Sequence, residues 1–119
     1  MTTTVQHAGS TLSTFSVALE QGDSVTLLSL YAEQAEVCLA NSSTPDRSPR
    51  IVRGKPAIAH WVNAFCGRNY DVLVVDAVQR ETELTIIAEC RHQDGTRFVL
   101  ACNAQLRAGL VINQFVVVV

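Results

Sequence analysis

The stretch that decides the fold of this 119-residue chain reads GKPAIAHWVNAFCG, residues 54–67. Pro56 suits the first turn of a helix, where its missing N–H is not needed. Large apolar side chains then recur at i, i+3, i+4 and i+7, and they are Ile58, Trp61, Val62 and Phe65. This spacing predicts a helix with one apolar face, ending near Gly67. Because the chain after residue 70 reads as strands, we expect that face to pack against a sheet.

Two helices and a strand are predicted ahead of this stretch. The first helix begins at Ser10 or Thr11, either of which can cap it, and ends near Gln21. Asp23 can cap a second, shorter helix. Its apolar face is predicted to consist of Leu27, Leu30 and Tyr31. Residues 35–40 then alternate in the way typical of a strand.

Strands dominate the rest of the chain. Residues 41–49 are loop-like in composition, and residues 50–53 predict a short strand. Four longer strands are predicted at residues 72–78, 84–92, 98–107 and 110–119. Asp94-Gly95 predicts a tight hairpin turn between the second and third of them. The order predicts an α+β fold in which helices pack on one face of a curved antiparallel sheet.

Composition limits the class of protein. Hydrophobic residues make up 48% of the chain and charged residues 17%, which is typical of a folded domain. We expect one domain, residues 1–119, with residues 1–9 flexible. The net charge is −2 and no basic run is present, so nucleic acid is not an expected partner. No leader pattern begins the chain and the apolar residues 115–119 are too few to span a bilayer, so we expect a cytoplasmic protein without membrane contact.

Four cysteines lie in apolar patterns without CxxC spacing: Cys38, Cys66, Cys90 and Cys102. Buried free thiols are the main interpretation, with disulfides or a zinc site as alternatives. Neither metal-binding spacing nor a glycine-rich phosphate loop is present, so we expect no metal and no cofactor.

Two motifs resemble a known superfamily. Residues 22–37 read GDSVTLLSLYAEQAEV, and residues 53–58 read RGKPAI. Both resemble passages of the nuclear transport factor 2-like superfamily, in particular its SnoaL-like and ketosteroid isomerase-like branches. The resemblance covers the chain from about Leu12 onward, and it implies a cystatin-like α+β barrel: a cone-shaped sheet wrapped around the N-terminal helices.

The resemblance also implies an apolar pocket open at one end of the cone. The candidate ligand-binding residues are Phe15, Leu39, Trp61, Phe65, Ile86, Cys90, Ala101, Asn103, Gln114 and Val116. The alternation within each strand is compatible with this set. Trp61 can instead be sealed in the core, so its place in the pocket wall is an expectation to be checked.

A ketosteroid isomerase needs a carboxylate base, with a tyrosine and a protonated aspartate to stabilise the oxyanion. The resemblance puts Phe15 at the tyrosine position, Leu39 at the base position and Asn103 at the aspartate position. Phe15 lacks the hydroxyl and Leu39 cannot accept a proton. The sequence therefore argues against this reaction, and no catalytic residue is assigned.

Other polar residues have two interpretations each. Asn103 and Gln114 can form an amide pair that orients a ligand, or two amides that satisfy each other. Asp76 can be a buried base or a carboxylate at a strand bend. His60 and His92 are interpreted as surface or rim residues.

Two functions remain open at this point. The first is a cofactor-independent isomerase, cyclase or hydrolase of the SnoaL-like type, acting on a small hydrophobic, oxygenated molecule. The second is a non-catalytic ligand-binding or dimerisation module. A homodimer through the outer sheet face is expected in either case. The apolar set predicted for that face is Phe98, Leu100, Cys102 and Ala104, with Ile87, Phe115 and Val117 nearby.

Overall fold

The computed structural model describes residues 11–41 and 48–119, which form three helices and six strands. The terminus predicted to be flexible, residues 1–9, lies outside the described residues, as does most of the predicted 41–49 loop. The helices are α1 (Thr11–Gln21), α2 (Ser24–Ser29) and α3 (Lys55–Gly67). The strands are β1 (Tyr31–Asn41), β2 (Arg50–Arg53), β3 (Asp71–Gln79), β4 (Glu83–Arg91), β5 (Arg97–Arg107) and β6 (Leu110–Val118). Within these ranges, no helix is long and apolar enough to cross a membrane.

The strands form one sheet in the order β2-β1-β6-β5-β4-β3. The predicted antiparallel meander is confirmed for β3 to β6. The sheet, predicted to be antiparallel, is mixed, because β1 pairs with β6 in parallel. Parallel neighbours need a long crossover, and here the crossover contains β2, α3 and three strands of the meander. The two edge strands, β2 and β3, do not pair with each other, so the sheet stays open.

Beta-bulges bend the sheet around the helices. In β3 the pairing with β4 shifts between Val74 and Asp76. The backbone N–H of Val74 donates to the Glu20 carboxylate of α1 at 2.9 Å. At the other end of α1, the backbone N–H of Leu12 donates to the side-chain oxygen of Gln79 at 2.9 Å. Bulges increase local twist and bend a strand, so the bulge in β3 curves this strand around α1. The two hydrogen bonds join α1 to β3 near both ends of the helix.

The second helix is shorter than predicted. The Asp23 carboxylate accepts from the Thr26 N–H at 3.1 Å, as expected of a helix cap. The helix ends at Ser29, and Tyr31 begins β1 instead of lying on the helix face. The carbonyl of Leu30 accepts from Val111 N–H at 2.8 Å, which ties this point of the chain to β6. Pairing with the sheet therefore places Tyr31 in β1, and the helix ends before it.

The third helix confirms the prediction made from residues 54–67. Ile58 and Val62 are buried in the core, and Gly54 is the N-cap, with φ 83° and ψ 153°. The N–H of Gly54 donates to the Ala35 carbonyl of β1 at 2.9 Å. The helix ends at Gly67, as predicted. Gly67 itself is not left-handed, and the left-handed residue that follows the helix is Asn69, with φ 54°.

Replacing Gly54 by alanine is expected to lower the free energy of unfolding by about 1–3 kcal/mol. An added Cβ at Gly54 meets no atom closer than 3.9 Å, so the cost comes from a backbone conformation that only glycine adopts readily. The measurement is urea unfolding followed by circular dichroism.

Gly67→Ala is the matched control, because a Cβ there meets nothing within 4 Å and the residue belongs to the helix. It is expected to leave stability unchanged or slightly raised. Equal losses in the two variants would show that the conformation of Gly54 is not the cause.

Candidate functional site

A cavity of about 430 Å³ lies between α3, α1 and the inner face of the sheet. This volume falls in the range of small-molecule sites in proteins. Most of its wall is aliphatic or aromatic. It is lined by Phe15, Leu19, Leu27, Tyr31, Leu39, Ala40, Arg50, His60, Trp61, Val62, Ala64, Phe65, Arg68, Tyr70, Phe98, Leu100, Cys102, Gln114, Val116 and Val118.

The third helix positions one side of this cavity through its periodicity. Trp61 and Phe65, one turn apart, are half-buried and form the wall. His60, Ala64 and Arg68 form the next stripe and are exposed, so they stand at the mouth. Three neighbouring faces of this helix therefore contribute to the core, to the cavity wall and to the cavity mouth. The expected place of Trp61 in the wall agrees with this arrangement.

Two buried polar side chains form the floor of the cavity. The hydroxyl of Tyr31 donates a hydrogen bond to the side-chain oxygen of Gln114. Tyr31 is 2% exposed and Gln114 5% exposed, so both polar groups have left bulk water. Their meeting follows from the sheet, because β1 and β6 are neighbours and Val37 lies beside Gln114 in the register. The bond leaves the amide hydrogens of Gln114 and the lone pairs of Tyr31 for other partners.

The titratable groups of the floor are held neutral. Burial raises the pKa of Tyr31 well above its usual range, with the nearby Cys102 adding to the effect and the hydrogen bond to Gln114 opposing it. Burial also raises the pKa of Cys102 to about 12, against a hydrogen bond from Gln114 that favours the thiolate. A thiol must ionise to act as a nucleophile. Tyr31 and Cys102 are therefore hydrogen-bonding groups here, and neither is an activated base or nucleophile.

The structure brings together six of the ten residues predicted for the pocket. Those in the cavity wall are Phe15, Leu39, Trp61, Phe65, Gln114 and Val116. Ile86 and Cys90 are buried on the inner face of β4 without lining the cavity. Ala101 and Asn103 belong to the opposite, outer face of β5. That any of these residues binds a ligand stays a prediction.

The prediction for β5 is wrong by one residue, and the hairpin before it supplies the reason. A two-residue turn at Asp94-Gly95 would set Cys90 opposite Val99. The actual loop has three residues, 93–95, with Gly95 at φ 91°, and Cys90 lies opposite Phe98. Because side chains alternate along a strand, one residue of slip exchanges the two faces.

This exchange also corrects the predicted dimer face. Phe98, Leu100, Cys102 and Ala104 point inward, where the last three are buried. The outer face instead carries what we call the outer patch: Ile87, Val99, Ala101, Phe115 and Val117. Phe115 is 46% exposed.

Asn103 has partners of its own on the outer face. Its amide donates to the Glu83 carboxylate at 3.0 Å and to the Thr85 hydroxyl at 3.1 Å. Opposite it on β6 lies Phe115, while Gln114 pairs with Ala104. The predicted amide pair of Asn103 and Gln114 is therefore wrong, since the two side chains lie on different faces of the sheet.

Sequence reasoning missed Tyr31 as a site residue. The alternation that predicts β1 is interrupted at Glu33-Gln34, and the pairing with β6 shifts between Tyr31 and Glu36. A bulge of this kind hides the periodicity of a strand. Cys102 was missed because of the register of β5, which also led to the wrong inclusion of Ala101 and Asn103 in the pocket.

An aromatic cluster borders the mouth. The ring of Tyr70 lies 5.3 Å from Phe65, 5.0 Å from Phe98 and 5.7 Å from His92, measured between centroids. His92 also lies 3.3 Å from the Asp94 carboxylate, beside the hairpin loop, as expected of a rim residue.

The acidic residues in the described part of the chain lie outside the cavity wall. Asp76 is exposed at the bulge of β3, which favours the strand-bend interpretation of this residue over the buried base. None of the Asp or Glu side chains in residues 11–41 and 48–119 lines the cavity. In the same residues, no three His, Cys, Asp or Glu side chains lie close enough together to hold a metal ion.

Removing the hydroxyl of Tyr31 is expected to cost about 1–3 kcal/mol of stability, because Tyr31→Phe leaves the buried oxygen of Gln114 without its donor. Adding Gln114→Met to Tyr31→Phe removes the side-chain oxygen that Tyr31→Phe leaves unpaired. The double variant is therefore expected to lose less than the sum of the two single losses, measured by urea unfolding. Strictly additive losses would contradict the pairing.

No known family profile and no curated protein matches the chain in sequence. Solved structures do match it in fold. A candidate ketosteroid isomerase from Kribbella flavida superposes with a TM-score of 0.76 at 14% identity, covering 92% of this chain and 75% of its own. A candidate polyketide cyclase from Sinorhizobium meliloti gives 0.69 at 15% identity, over 89% of this chain and 92% of its own.

A third structure, from Catenulispora acidiphila, has a ketosteroid isomerase-like fold and contains trimethylamine. Its TM-score is 0.65 at 13% identity, over 89% of this chain and 82% of its own. Other similar structures are described as nuclear transport factor 2-like or cystatin-like. At these identities the likeness establishes the fold alone. The chain therefore has the nuclear transport factor 2-like fold that its two sequence motifs predicted.

Proposed function

We propose that this protein binds a small, apolar, oxygenated molecule in the cavity between α3 and the sheet. One observation carries the proposal: a buried hydrogen-bonding pair, Tyr31 and Gln114, stands at the floor of an otherwise apolar cavity of about 430 Å³. Such a floor offers the remaining amide hydrogen of Gln114 and the hydroxyl oxygen of Tyr31 to a ligand carbonyl or hydroxyl, and the aromatic wall offers apolar surface. As part of the proposal, residues 1–119 act as a single SnoaL-like domain in the cytoplasm.

The side chains that line the cavity favour binding without catalysis. The residue at the position of the isomerase base is Leu39, and no carboxylate of the described residues lines the cavity. The raised pKa values keep Tyr31 and Cys102 protonated near neutral pH. General acid–base catalysis works best with a group that titrates near the operating pH. The floor supplies orientation without a proton acceptor of that kind.

The alternative is a cofactor-independent isomerase, cyclase or hydrolase. One observation favours it: His60 lines the cavity, so an imidazole stands at the mouth. Histidine is the side chain used most often for proton transfer in enzymes. In this alternative the reacting carbon of the substrate lies near the mouth and not at the floor.

Ligand binding can be tested with N-phenyl-1-naphthylamine, a neutral apolar fluorophore, using energy transfer from Trp61. Trp61 is the only tryptophan and lies in the cavity wall, so the signal has one source. We expect saturable binding that Val116→Phe weakens about tenfold or more, because the added ring occupies cavity volume. Overpacking of this kind costs stability as well, about 1–3 kcal/mol.

Val117→Phe is the matched control, since residue 117 neighbours Val116 on the same strand but faces outward. It is expected to leave binding of the fluorophore unchanged. No binding to the unaltered protein, or equal effects of the two substitutions, would argue against the cavity as the site.

We also propose a homodimer through the outer patch. Ile87, Ala101 and Val117 lie in one row across β4, β5 and β6, and Phe115 stands beside that row with nearly half of its surface exposed. No helix of the described residues covers this face. Contiguous exposed apolar surface on a sheet is typical of an interface, and two-fold dimers are the commonest closed assembly.

Light scattering at micromolar concentration is expected to give a mass of about 26 kDa, twice the 12.9 kDa of one chain. Phe115→Glu is expected to give the monomer, because two buried carboxylates would face each other without partners. Val25→Glu is the control, since Val25 is 78% exposed on α2, away from the sheet. A monomeric unaltered protein, or dissociation by both substitutions, would contradict this interface.

A further inference from the structure

Among the described residues, the Arg, Lys, His, Asp and Glu side chains that line the mouth of the cavity are all basic ones. Arg50, His60 and Arg68 line it, and no Asp or Glu of the described residues does. We infer that the molecule bound here carries a carboxylate, held at the mouth by the two guanidinium groups while its apolar part fills the cavity. The inference rests on the proposed function and names the ligand class for the same cavity.

Arg50 approaches the mouth from the sheet. It lies directly opposite Leu39 in the pairing of β2 with β1. Because opposite residues of an antiparallel pair share a face, Arg50 is on the face that Leu39 presents to the cavity. Within residues 11–41 and 48–119 the arginine ion pair is that of Arg53 with Glu36, on the other face of β2, so Arg50 has no carboxylate partner there.

Arg68 approaches the mouth from the helix. It follows the last turn of α3 and continues the stripe of His60 and Ala64. Its guanidinium forms no ion pair with the carboxylates of the described residues. Guanidinium groups bind carboxylates through two parallel hydrogen bonds, and the cavity is lined by one such group from the sheet and one from the helix.

Two simpler explanations account for only part of this pattern. A basic residue at the end of a helix is favoured by the helix dipole, which accounts for Arg68 but not for Arg50 on a strand. Overall charge does not account for it either, because the chain has 11 acidic residues against 9 lysines and arginines. The mouth is thus basic in a protein that is slightly acidic, and charges beside an apolar wall attract counter-ions more strongly than charges in open solvent.

An ammonium ligand is the main competing class. The rings of Phe65, Tyr70 and Phe98 stand near the mouth, and aromatic faces attract cations. The similar structure from Catenulispora acidiphila contains trimethylamine. In this chain, however, two guanidinium groups share the opening with those rings, and they repel a second cation. The balance of charge favours the carboxylate.

Three probes of equal chain length separate the classes: decanoate, decan-1-ol and decylammonium. Each is titrated as a competitor of N-phenyl-1-naphthylamine at low ionic strength, where exposed charges are least screened. We expect decanoate to compete about tenfold more strongly than decan-1-ol, because charge-assisted hydrogen bonds replace contacts with water. Decylammonium is expected to be the weakest of the three.

Arg50→Gln and Arg68→Gln show whether the mouth is responsible. Each is expected to weaken decanoate about two- to fivefold, as for an exposed ion pair, and to leave decan-1-ol unchanged. Arg80→Gln is the matched control, because Arg80 is exposed after β3 and does not line the cavity. It is expected to leave all three probes unchanged.

The outcomes separate this inference from the proposed function. Equal competition by decanoate and decan-1-ol, or strongest competition by decylammonium, overturns the carboxylate while the cavity stands as a binding site. Loss of decanoate binding in Arg80→Gln to the same extent as in Arg50→Gln and Arg68→Gln also overturns it. Failure of the fluorophore to bind overturns the proposed function itself.

Discussion

The parallel pairing of β1 with β6 is the constraint on which the cavity depends. It joins the N-terminal part of the chain to the meander, placing Val37 beside Gln114 and Leu39 beside Val116. Tyr31, at the start of β1, reaches Gln114 as a consequence. A parallel pair also requires the chain to cross over the sheet before returning, and α3 lies in that crossover. The same pairing therefore supplies the floor of the cavity and the helix that forms its wall.

The loop between β4 and β5 decides which side chains complete that wall. With three residues in the loop, Phe98, Leu100 and Cys102 face inward, and Val99 and Ala101 face outward. A loop shorter by one residue would exchange the two sets and move Cys102 away from Gln114. Since both sets are apolar, hydrophobic burial alone discriminates weakly between the registers. The pairing with β4 determines which set faces inward, because the inner face of β4 is fixed by Ile86 and its buried neighbours.

The sequence was sufficient for those parts of the fold whose pattern is strong. The stripe of α3, the strands of the meander and the motifs around Gly54 predicted helix, sheet and fold correctly, because burial on one face leaves a clear period. It was insufficient for β5, which is apolar on both faces and so carries no period that identifies its inner side. It was also insufficient for Tyr31, because a bulge and the polar pair Glu33-Gln34 conceal the start of β1. Both failures fall in the cavity wall, where departures from regular strands shape the site.

The two polar ends of the cavity act on a ligand by different physics. Tyr31 and Gln114 are buried, so a ligand that fails to match them leaves polar groups unpaired, at about 1–3 kcal/mol each. Arg50 and Arg68 are exposed, so water screens their attraction and each contributes less, about 0.2–1 kcal/mol for an ordinary surface pair. Long-range attraction, by contrast, speeds the capture of an anion before contact. Discrimination between ligands of similar shape therefore belongs mainly to the neutral floor, while the mouth selects charge and accelerates entry.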